Sequence, residues 1–323
     1  MQKQIYITRE IPESGLKLLK EKGILFDINK KDSILSKNEL IKILKKKPYD
    51  GVISLLTDEI NSEVFDACPT AKVFANFAVG FNNIDTDEAK RRNISVSNTP
   101  GTSAMAVAEH TVALMLALTT RLVEGDELIR RNKFKGWNPN LLIGTDLHRK
   151  KIGLIGVGQI GTEVAKMLHD GFKADIIYSD IVHNETLEKL SNAVKKTTEE
   201  VLCEADIVSL HVPLLPSTKH LINKESLATM KKTAFLINTS RGPVVDEKAL
   251  VYALKNDIIR GAGLDVFEFE PKLVKGLNKL DDVILTPHIA SSRASCRNMM
   301  SEVAVKNIIS ALETGKVINN VIK

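Results

Sequence analysis

The sequence predicts an α/β protein of two domains, each a parallel sheet covered by helices. Three observations carry this. Short apolar runs of strand length alternate with helix-length amphipathic segments along most of the 323 residues, the pattern that builds parallel sheets. The alternation falls into two series, divided by Asn98–Thr99–Pro100–Gly101 and a long helical stretch. The second series opens on a glycine-rich G-x-G-x-x-G motif set between a strand-like run and a helix-like one, which marks a doubly wound sheet.

The first series starts with IYI (5–7), then a helix opened by Pro12 and closed near Gly23. LFDI (25–28), a lysine-rich helix, VISLL (52–56), a short helix, KVFANF (72–77), another helix and ISV (94–96) complete it. A single long helix is expected over SAMAVAEHTVALMLALTTRLVEGDELIRR, whose near-continuous apolar face suits packing against more than one neighbour. A polar, irregular stretch follows from Asn132 to Lys150. The second series runs KIGLIGVG, DIIYSD, AVKK, DIVSLHVP, TAFLINTS, GAGLDVF and VILTPH, and a helical pattern from Ser291 to Gly315 ends it. No short-period repeat is present.

Composition narrows the function classes. With 43% hydrophobic and 26% charged residues the chain reads as a soluble globular protein. The net charge of +5 is scattered, and its densest run, KILKKK (42–47), ends before Pro48, where lysines complement a helix C-terminus. Nucleic-acid binding is therefore not expected. Cys68, Cys203 and Cys296 lack the paired spacings of zinc or redox sites, so no metal is expected and a reducing cytoplasm fits best. The N-terminal segment shows no signal-peptide pattern, and the longest apolar run, near Val112–Leu118, is too short to span a bilayer; no membrane partner is expected.

In GVGQIG (156–161), Gly156 makes the tight turn, Gly158 allows backbone to approach a pyrophosphate, and Gly161 lets helix and strand pack closely. The start of the following helix, at Gln159 and Ile160, then offers N–H groups to the phosphates. Asp180, 19 residues beyond Gly161 at the end of DIIYS, suits the adenosine ribose hydroxyls and repels a 2′-phosphate. This Rossmann-type arrangement favours NAD, as NADH in a reduction, over NADP. The same glycine spacing also serves S-adenosylmethionine and FAD enzymes, so the downstream residues must discriminate.

Three strand ends downstream carry charges: Arg241 after TAFLINTS, Asp265 and Glu270 in GLDVFEFEP, and His288 in VILTPH. In an open α/β sheet the carboxyl ends of the strands meet at the ligand edge. Arg241 suits a carboxylate through two parallel hydrogen bonds. His288 suits proton donation, and Glu270 would favour its imidazolium. Asp265 suits the nicotinamide carboxamide or the ring's developing positive charge. Read singly, each has a bland alternative: a loop histidine, a surface ion pair, a turn. Their placement at successive strand ends after a dinucleotide motif favours the chemical reading. His110, within the long helix, reads as structural.

The motifs AVGFNNID (78–85), VAEHTVALML (107–116), GLIGVGQIG (153–161), HVPLLPST (211–218), INTSRGPVVDEKAL (237–250), GLDVFEFEP (263–271) and LTPHIAS (285–291) resemble those of the D-isomer-specific 2-hydroxyacid dehydrogenases, in order and over essentially the whole chain. The resemblance implies a Rossmann domain (101–287) inserted in a flavodoxin-like substrate domain (1–100 and 288–323), with the active site in an interdomain cleft. It implies a small 2-oxo or 2-hydroxy acid as substrate, a homodimer, and catalysis by Arg241, Glu270 and His288. It also implies cofactor contacts at Val212, Pro213, Thr218, Thr239, Ser240 and Ala290, and a substrate carboxylate on the backbone of Val79 and Gly80.

Within the family, ISLLTDEIN (53–61) has Leu55, Leu56 and Thr57 where phosphoglycerate dehydrogenases usually carry an arginine, which leaves Leu56 as a substrate contact. With GWNPNLLIG (136–144) this resembles the glyoxylate and hydroxypyruvate reductases. Trp137 would then reach a neighbouring subunit's active site or pack at a dimer interface. That branch often uses NADPH, but SDIVHN (179–184) has Asp180 and neither lysine nor arginine, so NADH is expected. A short phosphoglycerate dehydrogenase, a D-lactate dehydrogenase and an NAD-binding corepressor-like scaffold remain alternatives.

Overall fold

The two series of strands form two separate all-parallel sheets. In the structure, a computed structural model describing residues 2–31 and 33–322, positions 1, 32 and 323 lie outside the described residues. The chain divides into one unit of Met1–Ser103 with Ser292–Lys323 and a second of Ala104–Ser291.

In the first unit the strands are β1 (Gln4–Ile7), β2 (Leu25–Ile28), β3 (Gly51–Ser54), β4 (Val73–Asn76) and β5 (Ser95–Ser97), interleaved with helices α1 (Glu13–Glu21), α2 (Lys37–Leu44), α3 (Ser62–Ala67) and α4 (Thr86–Arg91). The sheet order is β2-β1-β3-β4-β5, the flavodoxin-like winding, with its switch point between β1 and β3. One face buries Tyr6, Val52, Phe74 and Val96 against Leu40, Leu44, Val64 and Phe65. α12 (Ala294–Thr314) returns to this unit beside α1, β3 and β4. The expected strand VISLL stops at Ser54, because the carboxylate of Asp58 accepts the Leu55 N–H at 2.7 Å and turns the chain.

The second unit contains α5 (Ala104–Thr119), α6 (Leu122–Arg130), β6 (Lys151–Ile155), α7 (Gln159–Phe172), β7 (Asp175–Ser179), α8 (Glu185–Ser191), β8 (Val194–Lys195), α9 (Thr198–Glu204), β9 (Ile207–Leu210), α10 (Lys224–Thr229), β10 (Phe235–Asn238), α11 (Glu247–Lys255), β11 (Gly261–Leu264) and β12 (Val283–Leu285). Its sheet order is β12-β11-β10-β9-β6-β7-β8, a doubly wound sheet. Successive strand residues face opposite sides, so Val208 and Leu236 meet α9, α10 and α11 while Ile207, Phe235 and Ile237 meet α5 and α7. Both faces are buried, which explains why these strands read as nearly continuous apolar runs.

Two sequence expectations need correction. The single long helix is broken into α5 and α6, bent by 65°. The hydroxyls of Thr119 and Thr120 bond back to carbonyls of the preceding turn, the Thr119 carbonyl takes the Thr145 N–H at 2.8 Å, and Arg121 adopts a left-handed φ of 55°. The boundaries also move. His288, expected to open the return to the first domain, belongs with the second unit, since its N–H donates to the Asp265 carbonyl at 2.9 Å. Residues 101–103 stay with the first unit, where the Thr102 hydroxyl donates to the Thr99 carbonyl.

Gly15 shows how closely α1 and α12 approach: a Cβ there would lie 2.3 Å from the Ser301 hydroxyl oxygen and 2.7 Å from its carbonyl oxygen. Gly15→Ala should therefore destabilise the protein by about 2 kcal/mol. Denaturant titration measures this, and an unchanged midpoint would contradict the packing.

Candidate active site

All-parallel pairing in the second unit puts every strand's carboxyl end on one edge, and the candidate residues gather there. Gly156 follows β6 with φ 90°, and a Cβ on it would press within 2.8 Å of the His211 backbone. A Cβ on Gly161 would sit 2.4 Å from the Gly156 carbonyl oxygen, so α7 packs against the strand only because that position has no side chain. Gly158, by contrast, has open space where a Cβ would project, and no side chain caps α7 there. These are the three requirements of a pyrophosphate cradle, with Gln159 and Ile160 as the first helical residues.

Asp180 comes directly after β7, and its Oδ2 accepts the Val157 N–H at 2.8 Å, binding the cradle to the acidic residue. Beyond it Ile181 is 97% exposed, so an apolar side chain occupies the turn next to the expected ribose site. Val212 and Pro213 follow β9, where the Thr218 hydroxyl donates to the Pro213 carbonyl at 2.6 Å. Beside the cradle His211 is partly buried, and that burial pushes its imidazole down to about 4, so it is neutral.

After β10, the Thr239 hydroxyl lies 2.9 Å from that of Thr111 in α5, and the Ser240 hydroxyl donates to Asn238 Oδ1 at 2.8 Å. Arg241 donates from Nη1 to the Ser240 carbonyl at 2.6 Å. Burial lowers the guanidinium's pKa from its ordinary value, against the opposing charge of Glu270.

His288 Nδ1 stands 2.9 Å from Glu270 Oε2. The other oxygen of Glu270 accepts the Phe267 N–H at 2.9 Å. Burial alone would raise the carboxyl, but the hydrogen bond and charge of His288, the Phe267 N–H and Arg241 hold it below the usual glutamate range. With Nδ1 donating to an ionised Glu270, Nε2 is the other ring nitrogen and carries a proton only in the imidazolium. His288 keeps a left-handed φ of 55°, a conformation a non-glycine residue adopts only when its surroundings impose it.

What imposes it is Asp265. Asp265 is completely buried. Its Oδ1 accepts the Thr286 hydroxyl at 2.6 Å and the Ile289 N–H at 2.8 Å, and its Oδ2 accepts the Ala290 N–H at 2.8 Å. Burial pushes its pKa up, yet His110, Thr286 and the two amides bring it below the ordinary aspartate value. Ala290 is buried, and its place here is as a donor to Asp265.

In the first unit, Leu56 lies in the turn after β3, and Val79 and Gly80 follow β4. The Ala78 carbonyl accepts the Thr99 N–H at 2.9 Å, and the Val79 carbonyl accepts Asn98 Nδ2 at 2.7 Å. In a trans peptide the next N–H points opposite the carbonyl, so the N–H groups of Val79 and Gly80 turn away from that segment. Two adjacent amides so aimed suit an anion. Trp137 is 85% exposed in the irregular segment after α6.

Comparison with known proteins places the chain in a family. Residues 112–290 match the family model of the D-isomer specific 2-hydroxyacid dehydrogenase, NAD binding domain. The chain is 48% identical over 313 residues to a glyoxylate reductase of Thermofilum pendens, covering 96% of this chain and 91% of that one. The chain belongs to the D-isomer specific 2-hydroxyacid dehydrogenases. A glyoxylate reductase of Pyrococcus horikoshii is 43% identical, covering 98% of this chain and 95% of its own. Among solved structures, the NADPH-dependent glyoxylate/hydroxypyruvate reductase of Sinorhizobium meliloti in complex with NADP and malonate superposes with a TM-score of 0.86 at 29% identity, covering 99% and 97% of the two chains. The D-lactate dehydrogenase of Aquifex aeolicus, with NAD and lactic acid, gives 0.84 at 31% identity, covering 99% of each.

This dehydrogenase therefore uses a nicotinamide cofactor. One of its site residues escaped the sequence reading. His110 Nε2 lies 3.0 Å from the Thr286 hydroxyl oxygen, whose one proton goes to Asp265. His110 must then donate, so its Nε2 carries a proton. The available signal was a histidine in the near-continuous apolar pattern of α5, where a polar ring needs a buried partner.

Because Glu270 has a depressed native pKa, its stabilising contribution is present above the ordinary glutamate range and is lost as pH falls through the native value. Glu270→Gln should remove that component, so that the variant loses less stability on acidification than the parent does. Denaturation midpoints over an acidic pH series measure it, and parallel curves for the two proteins would contradict the pairing.

Proposed function

We propose that this dehydrogenase reduces a small 2-oxo acid of the glyoxylate or hydroxypyruvate type to the D-2-hydroxy acid, with NADH. The single observation that carries the chemistry is the 2.9 Å contact of His288 with Glu270 on the ligand edge that also bears Arg241. The bound nicotinamide supplies the hydride. Arg241 anchors and orients the substrate carboxylate, and the adjacent N–H groups of Val79 and Gly80 in the first unit suit a carboxylate as well. His288, held by Glu270, gives a proton to the carbonyl oxygen as that oxygen becomes a hydroxyl. The first unit is the substrate domain, with Leu56 as a substrate contact, and the second holds the cofactor along Gly156–Gly161, Asp180, Val212, Pro213, Thr218, Thr239 and Ser240.

The substrate class rests on the relatives, since two curated glyoxylate reductases are 48% and 43% identical over nearly the whole chain. Enzymes over nearly the whole length also set the scaffold reading aside. NADH is favoured by Asp180, whose charge repels a 2′-phosphate, and by the exposed apolar Ile181 where a cation would be needed to hold one. The three cysteines are unpaired and no single helix among the described residues is long and apolar enough to cross a membrane, in keeping with a cytoplasmic location.

A homodimer is supported by the apolar side chains that α6 and the following segment expose, Leu122, Ile129, Phe134, Trp137 and Ile143 among them. They lie in the unit that also bears a groove of about 910 Å³ between α6 and β12. Trp137 belongs to this surface, whether it packs there or reaches the neighbour's substrate.

Steady-state kinetics test the reaction. Glyoxylate or hydroxypyruvate with NADH should give the highest kcat/KM, and a clear preference for 3-phosphohydroxypyruvate or for NADPH would overturn the assignment. His288→Gln should lower kcat by about a hundredfold or more with NADH affinity retained, while Arg241→Lys should chiefly raise KM. Light scattering should return twice the 35.7 kDa chain mass, and Leu122→Glu with Ile129→Glu should halve it; a monomeric parent would remove the dimer.

A further inference from the structure

The chemistry above needs Glu270 held against His288, yet Glu270 lies on the irregular segment between β11 and β12. Its neighbour Glu268 is gripped from two sides. Glu247, at the start of α11 and almost fully buried, accepts the Glu268 N–H on Oε1 at 2.7 Å. The Glu268 carboxylate faces back toward the Glu247 N–H at 3.4 Å, and its Oε1 lies 2.7 Å from His220 Nε2. His220 is itself fixed with a left-handed φ of 50° and its N–H on the Pro243 carbonyl at 2.8 Å. Below this grip the backbones interlock, for a Cβ on Gly242 would fall 1.9 Å from the Phe267 carbonyl.

Nothing in α11 itself requires the Glu247 carboxyl. Asp246 already caps that helix through the N–H groups of Lys248 and Ala249. The second oxygen of Glu247 is buried without a hydrogen-bond partner, an arrangement that costs stability and that an apolar side chain of similar size would avoid. Burial, with the charges of Glu268 and Glu270, raises its pKa above the ordinary value. The group is thus directed at the segment carrying Glu270 rather than at its own helix.

We propose that Glu247 and His220 are positioning residues for the reduction, clasping Glu268 so that Glu270 stays in hydrogen-bond reach of His288. This rests on the reading of His288 as proton donor. A clasp that acts through Glu270 should govern kcat and its pH dependence, whereas a purely structural contact would alter only stability. The amide oxygen of glutamine can accept the Glu268 N–H as the acid does, so the conservative substitution should preserve the function.

The test uses the full chain, with kcat and KM for glyoxylate and NADH over a pH series, NADH binding by fluorescence, and melting temperature. Glu247→Leu should lower kcat about tenfold and alter the pH profile, with NADH affinity within about twofold. Glu247→Gln should recover most of the loss. His220→Ala, at the more exposed end of the clasp, should lower kcat several-fold and carries the test if Glu247→Leu does not fold. A folded Glu247→Leu or His220→Ala with parental kcat and pH profile would overturn the proposal, as would a Glu247→Gln as impaired as Glu247→Leu. His288→Gln run in parallel separates the failures: turnover retained there removes the proton-donor reading and the clasp with it, while turnover lost there alone removes only the clasp.

Discussion

A single buried carboxylate organises the reactive edge of this dehydrogenase. Asp265 accepts one hydroxyl and two backbone N–H groups with its side chain, and its main-chain carbonyl takes the His288 N–H. Hydrogen bonds to an ionised acceptor are among the stronger ones, and here no water competes for them. Their sum holds three consecutive residues, 288 to 290, in one geometry and offsets the left-handed backbone of His288. Without that carboxylate the imidazole would have no fixed place to stand, however well Glu270 were disposed.

The site is layered in the way its charges require. Glu270 and His288 remain partly open, as groups must be that exchange a proton with a substrate. Around them the partners are neutral or fully paired: partly buried His211 uncharged beside the glycine cradle, buried His110 donating to Thr286, buried Asp265 saturated with donors. A low-dielectric interior penalises an unpaired charge and strengthens a paired one, so the ionised groups occur only where a counterpart or a donor set meets them. Glu247 has one oxygen unpartnered, and the segment it grips is the one bearing Glu270.

Much of this was legible in the sequence because its signals are local. A strand-length apolar run followed by G-x-G-x-x-G states both a turn of positive φ and a close helix approach, and Gly156 and Gly161 meet these conditions. Parallel order then carries Arg241, Glu270 and His288 to one edge, since each follows its own strand within a few residues. The break between α5 and α6 was not legible. Its cause includes the Thr119 carbonyl meeting Thr145, an encounter that no helical periodicity records.

The sequence by itself determined the two α/β units, the dinucleotide cradle and the charged residues at the strand ends, because strand alternation, glycine spacing and chain order are properties of neighbouring residues. Only the tertiary structure decided that Asp265 faces inward, that His110 supports the histidine loop from 176 residues away, and that Glu268 is held by His220 and Glu247. Each of these depends on a hydrogen bond between distant segments. A donor or acceptor type can be read at each end, but whether the two ends meet is set by how the helices and strands pack.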